Sequence, residues 1–113
     1  MPVLSSRREN DILIVHPDVE RFDASVATSF KHQMADFITA GNYFIVLDLS
    51  RIEFIDSSGL GSVVSSLKLI ADRGDLVLYG VSKNVMSMFK LTRMDRVFQI
   101  FSSEAEALAS LSK

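Results

Sequence analysis

The side chains most capable of chemistry lie together in the segment Asp56-Ser57-Ser58-Gly59-Leu60-Gly61. An apolar run ends at Asp56, two hydroxyl groups follow, and an apolar pattern of helical period begins at Leu60. Four roles are open to such a segment: a catalytic centre, a cradle for an anionic ligand, an acceptor for a modification, or a helix cap. The neighbouring residues and the predicted elements discriminate among them.

A catalytic centre is the least supported role. A nucleophilic serine needs a base, and both histidines, His16 at a strand end and His32 within a helix, are expected to be ordinary, partly exposed residues. The chain has no G-x-S-x-G elbow, and no lysine directly follows Gly61 as in a phosphate-binding loop. Asp48 ends a strand as a phosphate-accepting aspartate does, without an evident acidic cluster or lysine beside it. We therefore expect no enzyme activity and no metal or cofactor held by this chain.

The predicted helix after Asp56 has one apolar face and one face of small residues. At about 100° per residue, the apolar face carries Leu60, Val63, Val64, Leu67, Ile70 and Ala71. The opposite face carries Ser58, Ser62, Ser65, Ser66 and Leu69. Gly59 and Gly61 each weaken a helix by about 1 kcal/mol relative to alanine, which is tolerable where something must approach the backbone. Charged residues are depleted at interface cores, so this pattern predicts a docking surface with the contact residues Ser58, Leu60, Ser62, Ser65 and Leu69.

Ser57 stands at the start of this helix, where we expect it to act as the N-cap and contribute about 1 kcal/mol. Phosphorylation at Ser57 would add a charge of about −1.5 to −2 beside Asp56. The free N–H groups and the dipole of a helix N-terminus tolerate that charge. A docked partner would meet new bulk and repulsion instead. The roles of cap and modification acceptor are therefore compatible at Ser57.

The elements that must position this segment alternate along the chain. The apolar pattern and a turn signal at Asn10-Asp11 predict strands over 3–8, 11–16, 43–49, 76–80 and 97–101. Helices are predicted after the caps Asp23, Ser57, Ser82 and Ser103. Alternating strands and helices indicate an α/β fold with a mixed, mostly parallel sheet of about five strands, covered by about four helices. We expect one domain over residues 1–113.

Composition excludes several classes of partner and of chemistry, and it indicates where the protein is located. The 12 basic and 14 acidic residues give a net charge of −2 and are interspersed, so a nucleic-acid partner is not expected. There is no cysteine, which excludes disulfides and thiolate chemistry. No apolar stretch approaches the ~18 residues that indicate a membrane span, and no signal-peptide run follows Arg7-Arg8. We therefore expect a cytoplasmic protein that does not associate with membranes.

With these residues in view, the chain resembles the STAS domains, specifically the stand-alone bacterial anti-sigma factor antagonists. The likeness spans nearly the whole chain. It depends on the run from Phe54 through Asp-Ser-Ser-Gly-Leu to Gly61, on the preceding strand Val46-Leu47-Asp48-Leu49, and on the closing segment 89–101. The position of the Asp-Ser-Ser-Gly-Leu-Gly motif between a strand and a helix makes the match specific.

The resemblance implies a phosphorylation switch. In that family the serine after the aspartate is phosphorylated by a GHKL-type kinase and dephosphorylated by a PPM-type phosphatase, and the unphosphorylated form captures the kinase or anti-sigma factor. Carried over, Ser57 is the phosphoacceptor, Asp56 and Ser58 are its neighbours, and Asp23 matches an acidic residue near the site. ATP and Mg²⁺ would belong to the partner kinase.

The chain departs from the family pattern at two places. Glu20 stands where the family often has glycine, and Arg93-Met94 stand where it tends to have Gly-Leu. These differences leave the identity of the partner open. Two alternatives therefore remain: a constitutive scaffold or subunit of a transport complex, and a domain that binds a small anionic ligand or nucleotide at the helix N-terminus.

Overall fold

The computed structural model describes residues 3–112 of the chain. Within this range, the strands of the main sheet alternate with helices after an opening hairpin, as the apolar pattern predicted, and two further short strands precede the first two helices. The elements are β1 (Leu4–Glu9), β2 (Ile12–Pro17), β3 (Arg21–Phe22), α1 (Ala24–Thr39), β4 (Phe44–Asp48), β5 (Phe54–Ile55), α2 (Ser57–Ile70), β6 (Asp75–Tyr79), α3 (Lys83–Leu91), β7 (Ile100–Phe101) and α4 (Glu104–Leu111).

The main sheet has five strands in the order β1-β2-β4-β6-β7. β1 runs antiparallel to β2, and each later pair in the sheet is parallel. The hairpin turns at Asn10, which adopts a φ of 55°, a left-handed conformation that asparagine tolerates better than most residues. The α/β fold with a mixed, mostly parallel sheet is therefore confirmed.

The two faces of the sheet build separate cores. Leu13 and Val15 of β2 belong to the larger core, which also holds the apolar faces of α1, α2 and α3. Ile12 and Ile14 point to the other face, where they pack with Ala107 of α4. This alternation follows from the two-residue period of a strand. Three helices therefore cover one face and α4 covers the other.

The helix starts agree with three of the predicted caps. The side chains of Asp23, Ser82 and Ser103 accept hydrogen bonds from the first turns of α1, α3 and α4. Ser57 is different, because it lies inside α2 and is not its cap. No helix within the described residues is long and apolar enough to cross a bilayer.

The closing segment departs most from expectation. Of the strand predicted over 97–101, only Ile100–Phe101 forms a strand. A 3₁₀ turn over Met94–Arg96 precedes it. Arg93 has a φ of 62°, in the left-handed region that costs a residue with a side chain roughly 1–2 kcal/mol. A glycine at this position would adopt that conformation without strain.

Candidate functional site

Two short strands that the sequence patterns did not predict place α1 and α2 side by side. β3 and β5 pair in parallel, with Arg21 opposite Phe54 and Phe22 opposite Ile55. The amide of Asp56 donates to the carbonyl of Phe22 over 3.2 Å, which continues the pairing by one residue. Each strand leads directly into a helix, so the two helix N-termini begin next to each other.

Asp56 is the N-cap of α2. Its backbone is extended, and its Oδ1 accepts a hydrogen bond from the amide of Gly59 over 2.8 Å. The prediction that Ser57 caps the helix is therefore wrong. A cap is the last residue with extended backbone before the helix, and the β3–β5 pairing holds Asp56 in that conformation. Ser57 follows as the first helical residue, and its hydroxyl is not needed for the cap.

Asp23 caps α1 in the same way. Its Oδ1 accepts from the amide of Ser25 over 3.1 Å and from the Ser25 hydroxyl over 2.6 Å, and Arg21 Nε lies 3.9 Å from Oδ2. The Ser25 hydroxyl chiefly lowers the pKa of Asp23, with the Ser25 amide and Arg21 acting in the same direction. Asp23 is therefore an anion at neutral pH, and it lies one register position beyond the paired Phe22 and Ile55, as Asp56 does.

Ser57 and Ser58 are both exposed at the beginning of α2. The adjacent N-termini of α1 and α2 carry partial positive charge, which the carboxylates of Asp23 and Asp56 partly offset. Ser57, Ser58, Asp23 and Asp56 thus lie where the two helices begin side by side, and their roles as phosphoacceptor and site neighbours stay predictions. The chemical result is an accessible primary alcohol in a field that accommodates negative charge.

The two glycines of the motif have different roles. Gly59 is buried, and a Cβ added to it would lie 2.2 Å from the carbonyl oxygen of Phe22. The interpretation of Gly59 as clearance for a partner is therefore wrong, because the close approach is to β3 of the same chain. Gly61 is exposed with nothing within 4 Å of an added Cβ, so its role as clearance for a partner stays a prediction.

The serine face of α2 is only partly exposed. Ser62 and Ser66 are 1% and 3% exposed, and their hydroxyls donate to the carbonyls of Gly59 and Ser62. Because these backbone acceptors satisfy the hydroxyls, small polar side chains can be buried along α1. Ser62 and Ser66 are therefore not available to the docking surface that was predicted on this face.

The predicted contact residues divide accordingly. Leu60 is 5% exposed and belongs to the larger core, so neither Leu60 nor Ser62 is open to a partner in this conformation. Ser58 is exposed, Ser65 is half-buried, and Leu69 is 44% exposed. The part of these three residues in partner binding stays a prediction.

Sequence reasoning did not single out Arg21 and Phe54 as site residues. The guanidinium carbon of Arg21 lies 4.2 Å from the centroid of the Phe54 ring, and that ring is 40% exposed. The alternation of side chains along a strand could have indicated that Phe54 is exposed, since Ile55 points inward and Phe54 therefore points out. Arg21 carried no such signal, because its position depends on a strand of two residues.

The side chains considered for catalysis have structural partners elsewhere. Asp48 accepts hydrogen bonds from the Ser50 amide and from the Tyr79 hydroxyl, each over 2.9 Å. Burial, together with Asp48 and Glu104, raises the pKa of Tyr79. His16 Nδ1 lies 3.3 Å from Asp18 Oδ1. Over residues 3–112, no cluster of three or more histidine, aspartate or glutamate side chains is placed to hold a metal ion.

Comparisons with known proteins agree with this geometry. The family model described as the STAS domain matches residues 4–107. A candidate anti-sigma factor antagonist of Thermotoga maritima is 32% identical over 106 residues, which cover 92% of this chain and 93% of the relative. The crystal structure of a candidate anti-sigma factor antagonist from Thermotoga maritima superposes with a TM-score of 0.90 at 29% identity, covering 97% of this chain and 95% of that chain.

A more distant protein shares the fold. The anti-sigma factor antagonist SpoIIAA in its unphosphorylated form has a TM-score of 0.72 at 17% identity, covering 95% of this chain and 94% of that chain. The phosphorylated form of SpoIIAA from Bacillus has a TM-score of 0.73 at 18% identity, covering 96% of this chain and 99% of that chain. At such identity the likeness concerns the fold alone.

Proposed function

The chain belongs to the STAS family, and from that premise we propose that it is a phosphorylation-gated binding protein of the anti-sigma factor antagonist type. In its unphosphorylated form it binds a GHKL-type switch kinase or anti-sigma factor and so releases that protein's target. Phosphorylation of Ser57 by the kinase blocks binding, and a PPM-type phosphatase restores it. Since the kinase uses ATP, the cytoplasm is the proposed location.

One observation carries this proposal: Ser57 is exposed at the first position of α2 while Asp56 supplies the cap. A hydroxyl that accepted the capping bond would have to exchange that bond for another each time it was modified. Here the capping bond runs from the Gly59 amide to Asp56. Phosphate can therefore be added to Ser57 and removed from it while the helix start stays intact.

The proposed chemistry is a phosphoryl transfer between two proteins. The Ser57 Oγ attacks the γ-phosphorus of ATP held by the kinase, the bond from that phosphorus to the bridging oxygen breaks, and ADP leaves. The hydroxyl proton passes to a base of the kinase or to solvent. In the reverse branch water attacks the phosphorus, the bond to Oγ breaks, and inorganic phosphate leaves. The kinase contributes ATP and Mg²⁺, so the antagonist itself acts as substrate and ligand.

The phosphate changes the surface more than the fold. It brings a charge of about −1.5 to −2 to a surface that already holds Asp23 and Asp56. The two helix N-termini offset part of this charge within the domain. A partner docked over Ser57 has no such compensation and meets both bulk and repulsion. SpoIIAA in its phosphorylated form is an example of a protein of this fold that carries a phosphate.

The test is phosphorylation by a GHKL-type kinase of the organism that produces this chain. Incubation with ATP and Mg²⁺ should add one phosphate, which peptide mass mapping should place on Ser57. Ser58→Ala is the matched control and should leave phosphorylation intact, whereas Ser57→Ala should abolish it. A phosphate that persists in Ser57→Ala, or one that maps to Ser58, would contradict the assignment.

A further inference from the structure

A groove between α1 and α2 begins at Ser58, the residue after Ser57. Near the helix N-termini it is lined by Ala24, Ser58 and Gly61, among others, and encloses about 400 Å³. Further along it is lined by Ala35 and Leu69 and encloses about 450 Å³. Lys31 and Ser65 line both parts, so the two parts form one groove that begins beside the phosphorylation site.

The distal part of this groove combines apolar surface with positive charge. Leu69 is 44% exposed and lies beside Ala35, and the rim is formed by Lys31, His32 and Lys68, all of which are exposed. Within residues 3–112, neither lysine has a carboxylate partner within 4.0 Å. The positive rim is notable in a chain whose net charge is −2.

Acidic residues lie near both ends of the groove. Asp36 lies one turn beyond His32 on α1, and Asp72 lies in the 3₁₀ turn that follows α2, four residues after Lys68. Asp23 and Asp56 stand at the helix N-termini. The positive charge is therefore local to the distal groove, with an apolar floor between the lysines. A nucleic-acid backbone would meet these acidic residues as soon as it extended beyond the rim.

We propose that the distal groove binds an acidic amphipathic segment of the partner protein, with one apolar side chain over Ala35 and Leu69 and carboxylates beside Lys31 and Lys68. This proposal rests on the proposed function, because it identifies the surface through which the same partner is held. Charge complementarity selects the occupant: an acidic segment neutralises the free lysines, and its apolar side chain covers Leu69.

The position of the groove connects it with the switch. Lys31 lines the part that also contains Ser58, so a phosphate on Ser57 adds negative charge at the entrance. An acidic segment is the occupant most sensitive to that charge, since like charges at an interface oppose binding. The groove and the phosphorylation site would then act on one partner together.

The experiment titrates the ¹⁵N-labelled full chain with two synthetic helical peptides of the same leucine pattern, one rich in glutamate and one rich in lysine. The glutamate peptide should shift the amides of Ala35, Ser65 and Leu69 and bind at least tenfold more tightly than the lysine peptide. Lys31→Glu combined with Lys68→Glu should remove this preference. The matched control, Lys83→Glu combined with Lys90→Glu on α3, should retain it, and circular dichroism verifies that both variants fold.

Equal affinity for the two peptides, or shifts confined to another face, would overturn the proposal. Binding of phosphatidylglycerol vesicles at the same residues, without binding of the glutamate peptide, would also overturn it and indicate a lipid surface. The titration involves no phosphoryl transfer, so its failure is distinct from a failure of Ser57 to accept phosphate. In the kinase assay, the Lys31/Lys68 double reversal should raise KM about tenfold and leave kcat unchanged.

Discussion

The starts of α1 and α2 are two versions of one junction. In each, a two-residue strand leads to an aspartate that caps the helix: Asp23 after β3 and Asp56 after β5. The third helical residue differs, since α1 has Val26 and α2 has Gly59. The side chain of Val26 packs against the larger core. At Gly59 the carbonyl of Phe22 occupies the space that a side chain would need.

This difference shows how one junction is specialised for presenting a hydroxyl. At α1 the capping carboxylate is shared by the Ser25 amide and the Ser25 hydroxyl. At α2 the carboxylate of Asp56 accepts a hydrogen bond from the Gly59 amide. Because Gly59 has no side chain, the first turn of α2 packs directly on β3. Ser57 is therefore held at a fixed position by bonds that do not involve its own side chain. Substitutions that alter one junction and not the other test this interpretation.

The largest effect should come from Gly59→Ala. The added methyl group would lie 2.2 Å from the Phe22 carbonyl oxygen, and a paired strand backbone moves little, so we expect a loss of about 2–3 kcal/mol in the free energy of unfolding. Gly61→Ala is the matched control. Its methyl group meets nothing within 4 Å, so this substitution should increase the free energy of unfolding by as much as about 1 kcal/mol. Urea unfolding of both variants measures the difference.

Equal stability of these two variants would contradict the close packing of α2 on β3. The control also tests the remaining prediction for Gly61. If Gly61 provides clearance for a partner, Gly61→Ala should fold at least as stably as the parent chain and yet capture the kinase less well. Unchanged capture would leave Gly61 without a role in binding.

The same junction shows how far the sequence could predict the molecule. Apolar periodicity predicted β1, β2, β4, β6 and the four helices, because long elements repeat their pattern several times. Of the strand predicted over 97–101, only Ile100–Phe101 forms. β3 and β5 have two residues each, too few for any period. Their pairing depends on tertiary contacts, and it is this pairing that brings Asp23 and Asp56 together.

The helix face of α2 was the harder part of the site to predict. On a helical projection of α2, Ser62 and Ser66 lie on the side opposite the main apolar face. That side of a helix is normally exposed to solvent. Their burial depends on α1 lying against that side, and helix periodicity carries no information about a neighbouring helix. Ser58 and Leu69 on the same face are exposed, so composition alone could not divide the buried serines from the accessible residues.

A smaller effect is expected from removing the caps. Asp56→Ala leaves the partly buried Gly59 amide without its acceptor and should reduce the free energy of unfolding by about 1–2 kcal/mol. Asp23→Ala should cost less, because water can replace the carboxylate at the exposed Ser25 amide. Thermal unfolding of the two single variants and the double variant compares the junctions directly. A larger loss for Asp23→Ala would reverse the assignment of α2 as the more tightly fixed start.

The smallest effect on stability is expected from Ser57→Asp, and it tests whether this junction is a switch. A carboxylate at the first helical position is tolerated by the helix dipole, so the free energy of unfolding should change by less than about 0.5 kcal/mol. Ala24→Asp places the same charge at the matching position of α1, also exposed and directly after a capping aspartate. In pull-down and calorimetric titration with the kinase, Ser57→Asp should weaken capture at least tenfold. Ala24→Asp adds its charge to the lining of the groove between α1 and α2 and should weaken capture by a smaller factor. Equal losses would mean that the partner senses negative charge anywhere on this surface, and unfolding of Ser57→Asp would mean that Ser57 is needed chiefly for the fold.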